Sequence, residues 1–425
     1  MALSVDHFQT LCERFPSWSE LRDHLQSDAG GKLRCIDEGE GSNFEVIRYS
    51  KGVSIFSHGT GLFRSVVWDK AANRPLCYAP PQAKEGPPPL HTNFTAVEDF
   101  VDGFMMNVFV TAAEPNVLRM ATRTKIGGEN RFFSKKMFSV LFEECLASTP
   151  VRTLDALKMH LREALGADNI SAFASFVVQH PEHRIVAKVA SPDLHMVHMG
   201  TVAPSGALTV HESAATWPAA LRRLQIARYP IKQFHSEQEI QELMRRTAVN
   251  NGFRWQGLVF KDGTGARWRL RSPSYLMMRG LRGLEAYSID RFLRLRREGK
   301  VSEYLKHYGE DRELFWALEQ NLRSKTAQVL TAYEQVHKAH ASKFADLPAG
   351  FKPAVYHLHL EYLNVLREKK FKVLLRNAIN AVNRLEDYEQ KRLLDAAEFT
   401  PLVADAVQED AVPEPRVAEA EAVVA

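Results

Sequence analysis

The chain of 425 residues lacks several features by which whole classes of protein are recognised. It has no run of about 18 apolar residues without charge, so no membrane-spanning helix is predicted. The first residues, MALSVDHFQTLCERFPSW, contain early acidic side chains and no apolar core, so no secretory signal is predicted. The four cysteines never form a CxxC pair, which favours free thiols in a reducing, intracellular compartment, cytoplasmic or nuclear. The stretch TGARWRLRS lacks the Gly-Lys-Ser/Thr ending of a Walker phosphate loop.

Charge is unevenly distributed along the chain. The net charge is +4, but residues 396–425 hold seven carboxylates and one arginine, which is −6 and leaves +10 on the preceding residues. A body this basic suits a polyanionic partner, and a solvated basic surface explains the charge equally well. The tail, rich in Ala, Val, Glu and Pro, is predicted to be disordered and is a candidate handle for a protein partner.

The order of apolar patterns predicts an α+β fold. Residues 1–40 have helical spacing, whereas FEVIRYS, VSIFS, LFRSVVWD, LCYAP and FMMNVFV read as strands of antiparallel sheets. Further strands are predicted at VLRMATRT, SAFASFVVQH and RIVAKVA, with helices at 134–147 and 153–166 and a hairpin across RWQGLVFKDGTGARWRLRS. Helical segments follow at 288–307, 310–341 and 353–395. We therefore predict a helical segment at 1–40, an α+β domain at 41–290, an all-α domain at 291–395 and a tail at 396–425.

Six short motifs occur in one order along residues 44–395. They are LFRSVVWDKAANRPLCYAPPQAKE, EDFVDGFMMNVF, RMATRTKIGGENRFF, ASFVVQHPEHRIV, WQGLVFKDG and RWRLRSPSY. In this order they resemble the motifs of the phage-type (ligase 1 type) ATP-dependent RNA ligases, members of the nucleotidyltransferase superfamily. The helical residues around FKPAVYHLHLEYL resemble the C-terminal helical domain of that family.

The resemblance implies a nucleotidyltransferase domain and a particular chemistry. In the family a lysine of the K-x-D-G motif attacks the α-phosphate of ATP, which requires a lowered lysine pKa. Carboxylates hold Mg²⁺ and the ribose, and basic side chains neutralise the phosphates before the adenylate passes to an RNA 5′-phosphate. Carried over to this sequence, the nucleotide- or phosphate-binding positions are Arg64, Gln256, Gly257, Lys261, Arg269 and Arg271. The family is frequent in phages and viruses, which is compatible with a viral origin.

The sequence departs from the family at the reactive positions. Phe100 stands at the lysine of K-x-D-G, ahead of Asp102 and Gly103, and it has no nucleophilic atom. Gln256 replaces the glutamate of E-G-x-V, and Ser175 falls at or near the glutamate of the preceding motif. Arg269 and Arg271 replace the lysines of K-x-K and keep their positive charge. Because removing a covalent nucleophile costs on the order of 10⁶ in turnover, efficient ligation through this motif is not expected.

Other readings of the same residues stay open. Asp102-Gly103 is also a common β-turn pair. Lys125 and Lys84 are candidate relocated nucleophiles, or ordinary surface or phosphate-contacting lysines. The arginines Arg279, Arg282, Arg294 and Arg297 are candidate RNA contacts, or a solvated helix face. His180 and His183 have an HxxH spacing without a third ligand nearby, so no metal site is predicted there.

Three hypotheses follow. The first is an RNA ligase-like protein with a degenerate adenylylation site that binds RNA, nucleotide or both. The second is an active ligase that joins 5′-phosphate and 3′-hydroxyl ends with ATP and Mg²⁺ through a relocated lysine. The third is a structural or assembly protein that reuses the fold and has a protein partner on its acidic tail.

Overall fold

The computed structural model describes residues 2–38, 42–50, 59–230 and 233–399. The chain divides into two compact units, Met1–Ala286 (unit 1) and Tyr287–Ala425 (unit 2). The fold is mixed α/β with mainly antiparallel sheets, as the sequence predicts. No helix in the described ranges is both long enough and apolar enough to cross a bilayer. The predicted strand VSIFS and nearly all of the predicted tail lie outside the described residues.

Unit 1 holds all the strands among the described residues. They are β1 (Ala2–Val5), β2 (Arg34–Asp37), β3 (Phe44–Arg48), β4 (Val66–Asp69), β5 (Arg74–Tyr78), β6 (Lys84–Glu85), β7 (Phe94–Asp99), β8 (Phe104–Thr111), β9 (Arg119–Ala121), β10 (Ser171–Gln179), β11 (Asp193–Val202), β12 (Leu208–His211), β13 (Arg228–Tyr229), β14 (Gly257–Asp262) and β15 (Arg267–Arg271). Its α-helices are α1 (His7–Arg14), α2 (Trp18–Gln26), α3 (Phe138–Ala147), α4 (Leu154–Leu165), α5 (Ala219–Arg222), α6 (Glu237–Asn251) and α7 (Pro273–Arg282).

These strands form three sheets. Their orders are β1-β12-β11-β10-β8-β9, β13-β7-β14-β15-β6 and β2-β3-β4-β5. All pairings are antiparallel except β15 with β6, which is parallel and places Arg269 opposite Glu85. The chain passes from β7 in the five-stranded sheet to β8 in the six-stranded sheet through residues 100–103. The K-x-D-G position therefore lies where the chain leaves one sheet for the other.

The six-stranded sheet is buried on both faces because its strand side chains alternate between two cores. In β8, Val108 and Val110 face a core that includes helices α3 and α4. Phe109 of β8 and Phe173 of β10 face a second core, built with α1, α2 and the four-stranded sheet. A smaller core lies under α6, where Phe260 and Trp268 of the hairpin pack. Strands buried on both faces read as continuous apolar runs, which is the pattern of FMMNVFV and SAFASFVVQ.

In unit 1 the structure differs from the sequence prediction at the N-terminal segment and at RIVAKVA. Residues 1–40 contain the predicted helices, but also β1 and β2, which pair with β12 and β3. The predicted strand RIVAKVA is wrong, because residues 184–190 form bends rather than a strand. The backbone N–H groups of Val186 and Ala187 both donate to Oδ2 of Asp102, at 3.0 Å each, instead of to a neighbouring strand.

The described part of unit 2 is helical and contains no strand. Its helices are α8 (Ser288–Arg297), α9 (Val301–His307), α10 (Arg312–His337), α11 (Lys352–Glu361), α12 (Leu375–Arg384) and α13 (Asp387–Asp395), with a π-helical turn at Tyr362–Leu366. The predicted segments 288–307 and 353–395 are each interrupted. Buried aromatic side chains form part of the interior, for example Phe292, Tyr304 and Phe315.

Candidate functional site

Strand β15 presents three arginines on one face. Arg267, Arg269 and Arg271 alternate along the strand with Trp268 and Leu270, so the two sets of side chains point to opposite faces. Trp268 and Leu270 pack on the core beneath α6. The arginines are therefore held on the other face by the burial of their neighbours.

Three arginines from other elements join them. Arg48 ends β3, Arg64 lies just before β4, and Arg123 follows β9. Burial lowers the pKa of Arg64 to about 10; Tyr49 opposes this, and the nearby charges of Arg267, Arg123 and Arg269 lower it further. We call these six residues the arginine cluster: Arg48, Arg64, Arg123, Arg267, Arg269 and Arg271.

Several guanidinium groups of the arginine cluster are buried without hydrogen-bond partners among the described residues. Nε of Arg48, Nε and Nη2 of Arg123, and Nε of Arg267 are in this state. Burial lowers the pKa of Arg48, and the neighbouring charge of Arg123 lowers it further. Buried cationic donors without partners are costly, and an anion supplies both the missing acceptors and the missing charge.

Two carboxylates pair with the arginine cluster in the described part of the chain. Oε2 of Glu85 accepts from Nε of Arg269 at 2.6 Å and from Nη1 of Arg271 at 3.2 Å. Glu212 lies 3.5 Å from Nη1 of Arg267. Burial alone raises the pKa of Glu212, but Lys261 and Arg267 outweigh it and hold that pKa below its ordinary value. Six guanidinium groups against two carboxylates leave the site strongly positive.

Phe100 lies at the edge of the arginine cluster. Its ring centroid is 5.7 Å from the guanidinium carbon of Arg271, within the range of a cation–π contact. The backbone N–H of Phe100 donates to the carbonyl of Gly257 at 2.9 Å, which ties the K-x-D-G position to the start of β14. The structure thus brings together Phe100, Arg269 and Arg271, three positions that the motif alignment related.

Gln256 and Gly257 hold the two strands of the hairpin close together. The carbonyl of Gln256 accepts from the N–H of Ser272 at 2.9 Å, and Gln256 itself is buried. Gly257 has a φ of 142°, and a Cβ on it would lie 1.9 Å from the carbonyl oxygen of Leu270. A side chain at position 257 would therefore displace β15 and the arginines that it carries.

Asp102 has a structural role in this arrangement. Besides the two N–H groups of Val186 and Ala187, its carboxylate accepts from the Tyr275 hydroxyl at 2.7 Å. Burial, together with the charge of Asp102, raises the pKa of Tyr275. Gly103 follows in the same turn, directly before β8. Both Asp102 oxygens are thus engaged within the protein.

Ser175, which falls at or near the glutamate of the preceding motif, belongs to a buried network of neutral side chains. Oγ of Ser175 is 2.7 Å from Oδ1 of Asn107 and 3.0 Å from Nε2 of His198. Nε2 of His198 is also 2.9 Å from the Tyr78 carbonyl. Burial lowers the pKa of His198 to about 3, so this ring is neutral at physiological pH. A Mg²⁺ site needs available carboxylate oxygens. Ser175 and Gln256 have no carboxylate, and both oxygens of Asp102 are engaged, so these three positions do not fit a Mg²⁺ site.

Lys261 is placed differently from the arginines. It is fully buried, and its ammonium contacts Glu98 and lies 3.9 Å from Glu212. A lysine enclosed between two carboxylates already has its counter-charges. Lys261 was expected to contact phosphate, but its ammonium is engaged by carboxylates and it does not belong to the arginine cluster.

Neither of the two candidate relocated nucleophiles has the surroundings of a reactive lysine. Lys84 is opposite Trp268 in the parallel pairing, and its ammonium lies 5.8 Å from the Trp268 ring, on the face away from the arginines. Lys125 is exposed and ion-paired with Glu129. The hydrogen bond to Glu129 raises the pKa of Lys125. A nucleophilic lysine needs the opposite shift.

The four arginines predicted to contact RNA separate into two pairs. Arg279 and Arg282 of α7 lie 5.8 and 4.8 Å from the Phe133 ring, and Arg282 is buried. Arg294 and Arg297 belong to α8 of unit 2. Arg294 lies 3.4 Å from Glu298, and Arg297 lies 2.7 Å from Asp387 and 3.2 Å from Glu386. The charge of Arg279 contributes to lowering the pKa of Arg271, after burial and Arg269.

Sequence reasoning did not find Arg48, Arg123 and Arg267. Arg267 continues the alternation of Arg269 and Arg271, and this pattern could have identified it. Arg48 and Arg123 belong to distant parts of the chain and to loops or strand ends of other sheets. No local pattern distinguishes them from surface arginines.

One group of potential metal ligands occurs among the described residues. Side-chain atoms of Glu144, His180 and Glu182 lie within 4.8 Å of one another. The ammonium of Lys136 is 2.8 Å from Glu144 and 2.7 Å from Glu182, so a cation of the protein itself already occupies this position. His183 lies elsewhere, against the rings of Phe104 and Phe138.

Comparisons with known proteins add little. The sequence matches no known family and no curated protein. One of the solved structures that match is described as an archaeal ATP-dependent RNA ligase (form 2), with 12% sequence identity and a TM-score of 0.39 over 75% of this chain and 82% of that one. A likeness this distant supports no argument about activity, which must rest on the residues themselves.

Proposed function

We propose that this protein is an RNA ligase-like binding protein with a degenerate adenylylation site. It binds the phosphates of RNA or of a nucleotide through the arginine cluster and does not ligate efficiently. The observation that carries the proposal is the arginine cluster itself, with buried N–H groups of Arg48, Arg123 and Arg267 that have no acceptor among the described residues. Arginine forks match phosphate oxygens in geometry as well as charge.

The residues at the positions where the ligase family has its reactive groups support the proposal that this protein does not ligate efficiently. The residue beside the arginine cluster at the K-x-D-G position is Phe100, and the guanidinium of Arg271 lies on its ring. The carboxylates that would hold Mg²⁺ are replaced at Gln256 and Ser175. Without a nucleophile and a metal site, positive charge alone binds phosphate but cannot form a covalent adenylate.

An active ligase with a relocated lysine is the second candidate. Lys125 lies in the loop after β9, in the part of the chain that also supplies Arg123. Its raised pKa and its pairing with Glu129 disfavour it as a nucleophile. Lys84 is disfavoured by its position on the far face of the sheet. ATP and Mg²⁺ would be the cofactors of this activity. The third candidate, a scaffold that uses the acidic tail as a handle, predicts no RNA binding.

Labelling and binding together test these candidates. The full-length protein is incubated with ATP labelled at the α-phosphate and Mg²⁺, and acid-stable label on the protein is measured. In parallel, binding of single-stranded RNA with a 5′-phosphate is measured by fluorescence anisotropy between roughly 50 and 200 mM salt. We expect no covalent label and an affinity that falls steeply with salt, because phosphate contacts release counterions.

Each alternative has its own outcome. Acid-stable label that is lost in Lys125→Ala or Lys84→Ala would establish the relocated nucleophile and refute the degenerate site. Absence of RNA binding at low salt would refute the binding role and favour the scaffold. The same RNA with a 5′-hydroxyl is the control ligand for the 5′-phosphorylated RNA, because the two differ only in the charge of the 5′ end.

A further inference from the structure

A cavity in unit 2 combines aromatic and cationic side chains. Its volume is about 820 Å³, within the range of ligand-binding cavities, and it is formed by α8, α9, α10, α12 and α13. The buried rings of Phe292 and Phe315 line it together with Leu305. Nothing proposed above for unit 1 involves this cavity.

Trp316 stands out among the lining residues. It is 67% exposed, whereas Trp68, Trp217, Trp255 and Trp268 are buried. An exposed indole leaves a large apolar ring face in water. Because Trp316 borders a cavity rather than lying alone on a convex surface, its ring is available to a planar group that enters the cavity.

Positive charge lies on the same side of α10. Arg312 is four residues before Trp316, so the two side chains are neighbours on one helix face. Arg312 has no ion-pair partner among the described residues, while Arg296 is held by Glu319 and by Oδ1 of Asn383 at 2.9 Å. Arg297, the third arginine of the lining, is paired with Glu386 and Asp387, so Arg312 is the lining arginine that can pair with an anion.

We propose that this cavity binds an unpaired nucleobase and its attached phosphate within single-stranded RNA. The base stacks on Trp316, and the phosphate pairs with Arg312. Stacking on exposed aromatic rings combined with nearby basic side chains is how proteins bind single strands without reading their sequence. This inference rests on the proposed RNA-binding function and assigns unit 2 a contact of its own.

The test uses the full-length protein and the variants Trp316→Ala, Trp316→Phe and Arg312→Gln. Tyr356→Ala is the control, because Tyr356 is an exposed aromatic residue of unit 2 outside the cavity. Affinity is measured for a single-stranded RNA, for the blunt duplex of the same sequence and for a free mononucleotide. We expect Trp316→Ala to weaken single-strand binding about tenfold, with Trp316→Phe retaining most of the affinity.

Fluorescence gives a second, independent readout. Since Trp316 is the most exposed indole, it dominates quenching of tryptophan emission by acrylamide. Single-stranded RNA should protect it from quenching, and the protection should be absent in Trp316→Phe. The duplex should give little protection, because its bases are already stacked.

Several outcomes would overturn the inference. Unchanged affinity with Trp316→Ala and no protection of the unaltered protein from quenching by single-stranded RNA, while binding through the arginine cluster persists, would refute this site and leave the proposed function standing. Protection by the mononucleotide alone, or protection that rises with protein concentration in the absence of RNA, would assign the cavity to a different occupant. No RNA binding by the unaltered protein would refute the proposed function as well.

Discussion

The arginines of unit 1 and those of α8 look alike in sequence and differ in structure. On α8, Arg291 lies 3.4 Å from Asp311, Arg294 3.4 Å from Glu298 and Arg296 3.3 Å from Glu319. In the arginine cluster, Arg269 and Arg271 share a single carboxylate oxygen of Glu85. Arg48 and Arg123 have buried donors without partners among the described residues.

The difference teaches that pairing, rather than the number of arginines, indicates an anion site. An arginine with its own carboxylate is electrically satisfied and contributes to packing of the helices. Arginines that are buried beside one another repel, and that unfavourable energy is relieved when an anion binds. The following predictions test this comparison, from the largest expected effect to the smallest.

The largest effect is expected for Gly257→Ala. A Cβ at position 257 meets the Leu270 carbonyl at 1.9 Å with φ at 142°, so the hairpin must distort. We expect a loss of at least about 3 kcal/mol in the free energy of unfolding, measured by urea titration. The matched control is Gly299→Ala in unit 2, where φ is 68° and no other atom lies within 4 Å; it should cost only about 1 kcal/mol. Equal losses would contradict the packing argument.

Removing charge from β15 should weaken RNA binding far more than removing paired cations of unit 2 that lie outside the cavity. For Arg269→Gln/Arg271→Gln we expect roughly 50-fold weaker binding and a shallower salt dependence, because two phosphate contacts are lost. The control Arg294→Gln/Lys338→Gln removes two cations that are paired with Glu298 and Glu334, and it should change affinity by less than about threefold. Anisotropy titrations at several salt concentrations measure both. A larger effect of the control pair would place the interface outside β15.

Acid should destabilise unit 1 through His183. Burial lowers the pKa of His183 to about 4, with neighbouring charges such as Arg282 adding to the effect. Below about pH 6.5 the unfolded chain takes up a proton that the folded state does not, so stability falls as the pH drops towards 4. At pH 5 the loss is about 2 kcal/mol. His183→Phe should remove this contribution, as judged by urea unfolding at pH 7 and pH 5; identical pH dependence in both proteins would contradict it.

The smallest effect concerns Glu85. Because its carboxylate neutralises part of the charge on Arg269 and Arg271, Glu85→Gln should tighten RNA binding about threefold to fivefold at low salt. Glu298→Gln, which removes the partner of Arg294 outside the cavity, should leave binding unchanged. Weaker binding in Glu85→Gln would mean that Glu85 positions the two arginines rather than competing with the ligand.

The sequence predicts much of the fold because the relevant patterns are local. Strands β8 and β10 are continuous apolar runs, and the β14–β15 hairpin has a Gly-rich turn between two strand-like segments. The short strands were harder to recognise. Strand β1 pairs with β12, more than 200 residues later, and no local signal marks such a partner. RIVAKVA has a strand pattern, but the carboxylate of Asp102 takes its N–H groups.

By itself, the sequence determined that a nucleophilic amine is absent at position 100 and a carboxylate at position 256. Whatever the fold, position 100 carries a phenyl ring and position 256 an amide. Alternation along β15 also determined that its arginines share a face, since side chains of a strand alternate by geometry. Only the tertiary structure decided which charges are satisfied. Lys261 and Arg297 meet carboxylates, while Arg123 lies near Arg48 and Arg64, which are distant from it in sequence. Electrostatic energy depends on distances between groups and on their burial, and neither is encoded by spacing along the chain.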